Sequence, residues 1–385
     1  MDPTFLIMWF GFILAGYSVV GNDSIQTLGT FLSSNEERPW YILWLFAGGI
    51  LTFTLVYGWY QYGGDVSYER LSKYPFIEDI SWPYLLPPLV LMVLTRTGIP
   101  VSTSFLILTF FKPKGLLGMT MKSLLGYVLA FALAILVWQL ITRLLDKRFI
   151  QNPMTKRERT TWSILQWSST GFLWGMWLIQ DFANIYVYLP RSLSGSELAI
   201  SLVVLLSMLA YIFYSRGGSI QEIVKAKTNT VDIRSATIID FLYALILLFF
   251  KEFSNVPMST TWVFLGLLAG REIAIRYQLA QDERPEEDPD SLDRLGQVLN
   301  VALIAVIGYV IYLRDAVENS QILLFAILIA VRAGVLYLTS QRKQIDMKPT
   351  FRMVGSDLAK VTFGLVISIA LVYIMKALTG VGGGF

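Results

Sequence analysis

Two clusters of oxygen-bearing side chains interrupt apolar stretches of this sequence, and each combines one carboxylate with two carboxamides. The first is Asn22, Asp23 and Gln26, and the second is Gln180, Asp181 and Asn184. A carboxylate inside a membrane span costs about 2.5–3.5 kcal/mol on insertion scales, so these side chains must face protein or a watery cavity. Carboxylate, amide and unwound backbone carbonyl oxygens form the hard shell that suits Na⁺. We therefore expect Asp23 and Asp181 to bind sodium, joined by the amides of Gln26 and Gln180. The alternative is that each Asp only caps the second half of a broken helix.

Two hydroxyl-rich clusters follow prolines inside other apolar stretches. Pro100 precedes Ser102, Thr103 and Ser104, and Pro257 precedes Ser259, Thr260 and Thr261. Proline is well placed just before a helical turn. Free backbone N–H groups and the positive end of a helix then favour an anion. We expect the two clusters to form one site for a small anion, with Asn22 and Asn184 nearby. Simple capping of two helices is the alternative.

One cation lies close to the first hydroxyl cluster. Arg96 stands four residues before Pro100, whereas Phe253 holds the matching position before Pro257. Arg96 is expected to attract the anion electrostatically, to snorkel to the membrane surface, or to pair with a carboxylate such as Glu252.

Composition places the chain among membrane proteins and excludes several functional classes. The 385 residues are 55% hydrophobic and 15% charged, with a mean hydropathy of +0.56. Cys and His are absent, which excludes disulfides, thiol nucleophiles, Cys/His zinc sites and axial His ligation of haem. No nucleophile–base pair, phosphate-cradling glycine loop or cofactor motif indicates an enzyme. No basic stripe with interleaved aromatics indicates a nucleic-acid partner.

The elements that must position these clusters are membrane helices, so the predicted fold is all-α. A helix needs about 20 apolar residues to cross the hydrocarbon core. Apolar runs of suitable length lie near 4–33, 40–60, 122–142, 163–192, 196–214, 296–313, 320–339 and 356–378. The runs 82–112 and 237–270 are split by the hydroxyl clusters into halves of about 13–16 residues, which predicts two re-entrant hairpins.

The clusters recur in the same order, which predicts an internal repeat. Pro100 follows Asp23 by 77 residues, and Pro257 follows Asp181 by 76. A hairpin adds no crossing, so the first repeat crosses the membrane three times and the second repeat starts on the opposite face. The prediction is an inverted-repeat secondary transporter with broken helices and two re-entrant hairpins. Its parts are a first repeat at 1–145, a second at 160–313 and C-terminal helices at 314–385.

The distribution of basic residues predicts the orientation. More than half of the 31 Lys and Arg residues lie in the loops 143–162, 215–235, 271–295 and 340–352. The positive-inside rule makes these loops cytoplasmic, so both termini are expected outside a cell membrane that the chain crosses several times. Membrane lipid is therefore an expected partner.

The motifs resemble those of the inorganic phosphate transporter (PiT) family. Residues 22–30, N-D-S-I-Q-T-L-G-T, are similar to its N-D-V-x-N-x-x-G-T signature, and residues 180–184 to a second, altered copy. Residues 100–104 and 257–261 are similar to its paired P-V-S-T-T-H motifs. Phe105 and Trp262 stand where those motifs end in histidine, and Gln26 and Gln180 replace family asparagines. The resemblance covers about residues 11–275.

The resemblance implies an inverted-repeat symporter in which the motif carboxylates bind the coupling cation and the hairpin hydroxyls bind phosphate. We expect a cation-coupled phosphate symporter, with Na⁺ favoured over H⁺ and with no cofactor. The alternatives are a transporter of sulfate or another small inorganic anion, and a non-transporting sensor or assembly subunit on the same fold. The oligomeric state is open, with a homodimer as one option.

Overall fold

The regular elements of the described part of the chain are helices. The computed structural model describes residues 3–96, 101–141, 154–215, 233–253, 258–282, 291–313, 319–343 and 345–379. Twelve α-helices lie within these ranges. They are α1 (Pro3–Ser34), α2 (Trp40–Gln61), α3 (Leu86–Arg96), α4 (Thr103–Phe111), α5 (Leu116–Ile141), α6 (Lys156–Tyr186), α7 (Gly195–Tyr214), α8 (Ile233–Phe253), α9 (Thr260–Asp282), α10 (Ser291–Leu313), α11 (Asn319–Arg342) and α12 (Lys348–Thr379).

The all-α membrane class predicted from the sequence is confirmed. Within the described residues, five helical segments are long and apolar enough to cross a membrane. These are Pro3–Ser24, Trp40–Gln61, Pro113–Val137, Gly195–Tyr214 and Lys348–Ile374. The chain is therefore a membrane protein.

The expectation of broken helices at the two carboxylates is wrong. Helix α1 runs without interruption through Asp23, and α6 runs without interruption through Asp181. The polar residues are accommodated within helical backbone, because Ser24 donates its hydroxyl to the carbonyl of Val20 and Thr27 donates to those of Asp23 and Ser24. Asp23, Asn22 and Asn184 find partners at the start of α4, so the helices do not need to unwind to engage these side chains.

A helix pair stands at each predicted hairpin, but only the first pair has the short halves that the prediction requires. Helices α3 and α4 have 11 and 9 residues, as short re-entrant halves require. Helices α8 and α9 have 21 and 23 residues and extend beyond 237–270 at both ends. At 1.5 Å per residue they are about 31 and 35 Å long, which is well beyond the half-span expected of a hairpin ending at the midplane. Helix α9 continues through the charged segment 271–282, where the sequence has no glycine or proline to end it.

Glycines bring α5 and α9 into backbone contact. A Cβ atom at Gly266 would overlap the carbonyl of Tyr127, and one at Gly270 would overlap the carbonyl of Phe131. Such small residues allow membrane helices to approach closely enough for extensive van der Waals packing. The first hydroxyl cluster is covered from another side by α12, where a Cβ atom at Gly364 would lie 3.0 Å from Val101 Cγ1.

The segment from residue 62 to residue 81, called here the 62–81 loop, joins α2 to the first hairpin. The Asp65 carboxylate accepts hydrogen bonds from the backbone N–H groups of Ser67 at 2.6 Å and Glu69 at 2.8 Å. Gly64 has φ of +99° and meets the neighbouring loop, where Leu193 N–H donates to its carbonyl at 3.0 Å. Arg191 Nη2 donates to the Pro75 carbonyl at 2.8 Å. The loop is thus held in one conformation against the ends of the helices.

Candidate ion-binding site

The first hydroxyl cluster lies against the carboxylate of α1. Thr103 Oγ1 donates to Asp23 Oδ2 at 2.8 Å. Asn22 Nδ2 donates to the other carboxylate oxygen, Oδ1, at 2.5 Å, and to the carbonyl of Val101 at 3.2 Å. Asp23 is only 1% exposed. Helix α1 and the start of α4 are therefore joined through one buried carboxylate.

The carboxylate of α6 contacts both hairpins. Ser104 Oγ lies 3.5 Å from Asp181 Oδ1, and the Thr260 hydroxyl interacts with the same carboxylate. Asn184 Nδ2 donates to Asp181 Oδ1 at 2.7 Å and to Thr103 Oγ1 at 3.1 Å. A chain of polar contacts thus runs from Asp23 through Thr103 and Asn184 to Asp181, and the two carboxylates lie close enough to repel each other.

The two hydroxyl clusters also touch each other. Ser104 Oγ donates to the carbonyl of Met258 at 3.3 Å, and Thr261 Oγ1 donates to the carbonyl of Val101 at 3.3 Å. The rings of Phe105 and Trp262 meet edge to face, with centroids 5.8 Å apart and an interplanar angle of 82°. Equivalent residues of the two clusters are therefore neighbours in space, although more than 150 residues separate them in sequence.

Ser102 and Ser259 act as helix N-caps. Ser102 Oγ accepts from Phe105 N–H at 3.3 Å, and Ser259 Oγ accepts from Trp262 N–H at 3.3 Å. The capping interpretation that the sequence left open thus holds for both serines. It does not exclude ligand binding, because a hydroxyl that accepts a hydrogen bond keeps its own hydrogen to donate. Ser259 is fixed further, since its N–H donates to Ser123 Oγ of α5 at 2.8 Å.

Three buried oxygens on one stretch of α6 have no hydrogen-bond donor within the described residues. They are Gln180 Oε1, Asp181 Oδ2 and Asn184 Oδ1. The amide nitrogens of the same side chains are occupied, because Gln180 Nε2 donates to the Leu247 carbonyl at 3.0 Å and Asn184 Nδ2 makes the contacts given above. Buried acceptors without donors are expensive unless a ligand satisfies them. Carboxylate and amide oxygens are the donor types that a hard monovalent cation takes.

The structure brings together all but three of the predicted site residues. Gln180 bonds instead to the Leu247 carbonyl of α8. Gln26 is buried on α1, but within the described residues it makes no hydrogen bond to the carboxylates or the hydroxyl clusters. Arg96 is exposed at the end of α3 and is not part of this buried centre. The prolines Pro100 and Pro257 lie in the segments 97–100 and 254–257, outside the described residues.

Sequence reasoning missed two buried charged residues near the centre. Arg70, in the 62–81 loop, is 2% exposed and lies within electrostatic range of Asp181. Asp240, on α8, is 2% exposed and accepts hydrogen bonds from Thr30 Oγ1 at 2.8 Å and Thr170 Oγ1 at 2.6 Å. Asp240 was detectable, since a carboxylate inside an apolar run is by default a functional candidate. Arg70 carried no such signal, because arginine in a polar loop is ordinary.

Comparison with known proteins gives one structural likeness. No protein-family model and no curated protein matches the chain. A solved structure titled "The sodium-dependent phosphate transporter" aligns with 89% of this chain and 100% of its own, at 16% sequence identity and a TM-score of 0.49. A likeness at this level carries no argument about substrate or coupling, so the function has to be argued from the geometry of the site.

Proposed function

We propose that the protein is a symporter that couples the entry of a cation, Na⁺ in preference to H⁺, to the transport of inorganic phosphate. The observation that carries the proposal is the meeting of two buried carboxylates with two hydroxyl-rich helix starts at one place. The contacts from Thr103 to Asp23 and from Ser104 to Asp181 join the expected cation ligands to the expected anion ligands. A site of this kind holds both ions side by side.

The same contacts give a physical reason for coupling. Without a cation, Asp23 and Asp181 repel each other and would repel a phosphate dianion. The Asp23 carboxylate also occupies the hydroxyl hydrogen of Thr103, which is then unable to donate to an anion. A cation at the carboxylates neutralises them and releases the Thr103 hydroxyl. Anion binding is therefore expected to require prior or simultaneous cation binding.

Sodium is favoured over a proton by the chemistry of the unsatisfied oxygens. Gln180 Oε1 and Asn184 Oδ1 are amide oxygens, which do not become protonated near neutral pH. Both are suitable ligands for Na⁺, and with Asp181 Oδ2 they form three of its ligands. A proton would satisfy the carboxylate alone and would leave both amide oxygens without a donor.

Phosphate is favoured over sulfate by the presence of acceptors among the donors. Phosphate near neutral pH keeps a proton that it donates, whereas sulfate has none. The Asp23 carboxylate lies beside the Thr103 hydroxyl, so the centre offers an acceptor next to a hydroxyl donor. A sulfate site would instead consist of donors only.

We propose further that the helices form two inverted repeats, the first containing α1–α5 and the second α6–α10. Matching packing pairs support this arrangement. Helix α1 packs on α6 and α2 packs on α7, and the pairs α1–α3 and α6–α8 are equivalent under the proposed symmetry. Such symmetry places the substrate site where the two repeats meet.

Radiolabelled uptake into proteoliposomes tests the function. Phosphate uptake is expected to depend on an inward Na⁺ gradient and to persist when the pH gradient is collapsed. Excess unlabelled phosphate should suppress uptake of any other transported anion. Undiminished sulfate uptake under excess phosphate would contradict the phosphate assignment, and absence of uptake of either anion would contradict transport.

A further inference from the structure

We propose that Arg70 is the fixed positive charge of the anion site and that its guanidinium contacts the transported oxyanion. This inference rests on the proposed function and adds a specificity-determining residue to it. Arg70 takes the electrostatic role that was one of three alternatives for Arg96, a residue that the structure leaves exposed at the end of α3.

The guanidinium of Arg70 is buried with one nitrogen unsatisfied. The residue is 2% exposed, and its Nη1 has no hydrogen-bond partner in the part of the chain that the structure describes. Burial lowers the pKa of Arg70 to about 10, so the group stays protonated near neutral pH. A buried N–H group without an acceptor is costly. A ligand oxyanion would supply the missing acceptor and add a hydrogen-bonded countercharge to the more distant one of Asp181.

The surroundings of Arg70 link it to the candidate site. Arg70 and Asp181 are within electrostatic range, but no ion pair joins them among the described residues. Lys122 of α5, itself 8% exposed, lies within electrostatic range of Arg70 as well. Its neighbour in sequence, Ser123, accepts the hydrogen bond from Ser259 N–H of the second cluster. Arg70 is thus within reach of one site carboxylate and of the helix α5 that holds the second cluster.

The 62–81 loop holds Arg70 in place before any ligand arrives. Its neighbours Ser67 and Leu71 are buried, at 0% and 2% exposure. On the far side of the loop, Tyr74 donates its hydroxyl to Met119 Sδ of α5 at 3.3 Å, and Lys112 Nζ donates to the Lys73 carbonyl at 2.6 Å. A group that is already positioned loses little conformational entropy when it binds a ligand. Most of the free energy of its contact therefore contributes to the binding affinity.

A guanidinium at this place also restricts the class of anion. Its planar fork matches two oxygens of a tetrahedral oxyanion and binds them in a bidentate manner, which a halide does not permit. Phosphate and sulfate both satisfy the fork, so Arg70 selects divalent oxyanions over chloride and leaves the choice between the two to the acceptor beside Thr103.

The test compares Arg70→Gln, Arg70→Lys and the matched control Arg96→Gln in proteoliposomes. Because a hydrogen bond to a charged group contributes strongly to affinity, Arg70→Gln should raise the KM for phosphate about ten- to a hundredfold. Arg70→Lys should retain part of the affinity, since the charge remains but the fork is lost. Arg96→Gln should change KM less than about twofold, and the Na⁺ dependence of uptake should be the same in all variants.

The outcomes separate this inference from the proposed function. A folded Arg70→Gln protein, shown by a monodisperse gel-filtration peak, with an unchanged phosphate KM would overturn the role of Arg70 while phosphate transport stands. Equal losses in Arg70→Gln and Arg96→Gln would overturn it too, since a general charge effect would explain both. If the wild type carries sulfate and not phosphate, the same KM comparison is made with sulfate. If the wild type neither transports nor binds either anion, both proposals fail.

Discussion

At the scale of single residues, the two hydroxyls nearest the carboxylates are already engaged by them. Thr103 donates to Asp23, so this expected anion ligand is occupied by an expected cation ligand, and the Ser104 hydroxyl lies 3.5 Å from Asp181. An amide in place of either carboxylate removes the charge that the proposed Na⁺ would neutralise while keeping the shape of the side chain.

Asp23→Asn and Asp181→Asn should each weaken the dependence of uptake on Na⁺. The loss of one formal negative charge from a hard-cation site lowers cation affinity directly. We expect the Na⁺ concentration for half-maximal uptake to rise at least about tenfold, measured by phosphate uptake over a Na⁺ titration. Variants that fold, transport and keep the wild-type Na⁺ dependence would identify both carboxylates as structural groups only.

Ser102→Ala and Ser259→Ala should weaken anion affinity about ten- to a hundredfold, because each removes a hydroxyl that has a hydrogen free to donate to a charged ligand. Each change also removes an N-cap, which costs about 1 kcal/mol of stability. The matched control is Ser194→Ala. It removes the exposed N-cap of α7, a residue outside the candidate site. Competition binding with phosphate should distinguish the loss of an anion contact from the loss of an N-cap, because the control loses only a cap and keeps its affinity for phosphate.

Sequence reasoning was most successful for polar residues that lie within apolar runs. The carboxylates and the hydroxyl clusters stand out because polar groups within apolar runs are rare and costly, and the structure does gather them at one place. Whether they bind ions stays a prediction. Arg70 was not found, because its burial depends on how the 62–81 loop folds back, and no local pattern encodes that.

At the scale of elements, α1 and α6 are continuous, so a cluster of polar residues does not by itself determine that a helix breaks. Polar clusters predicted breaks at Asp23 and Asp181, but a helix breaks only where its own backbone groups gain better partners elsewhere. In α1 and α6 the backbone groups keep their helical partners, and the polar side chains bond to other groups, so the backbone remains helical. The existence of hairpins was predictable from split apolar runs, whereas the lengths of α8 and α9 were not, since charged residues continue a helix as readily as apolar ones.

The contact between α5 and α9 gives a prediction at this scale. Gly270→Ala should destabilise the protein by about 1–3 kcal/mol, because the added methyl group overlaps the Phe131 carbonyl and lies 2.9 Å from Ala134 Cβ. Gly118→Ala on α5 is the matched control, since a Cβ atom there meets nothing within 4 Å. Thermal unfolding in detergent should show a lower midpoint for Gly270→Ala and an equal or higher one for Gly118→Ala.

At the scale of the whole molecule, the predicted orientation remains to be measured. Much of the basic-loop pattern behind it lies in 142–153, 216–232 and 283–290, outside the described residues. The chain lacks cysteine, so single cysteines are labelled without background. We expect Ser72→Cys, exposed in the 62–81 loop, to react with an impermeant reagent on intact cells, and Ser291→Cys to react only after permeabilisation. The reverse pattern would place both termini inside.

The glycine contacts between α5 and α9 have a mechanical consequence for a transport cycle. Helix α5 belongs to the first proposed repeat and α9 to the second, yet their backbones touch at Gly266 and Gly270. Helices packed this closely resist sliding past each other, so in the proposed transport cycle the two repeats are expected to move least along this contact. The Thr103–Asp23 and Ser104–Asp181 contacts lie elsewhere, between α4 and the helices α1 and α6. Because the proposed ions replace these contacts, the boundary that opens is expected to run between α4 and the helices α1 and α6.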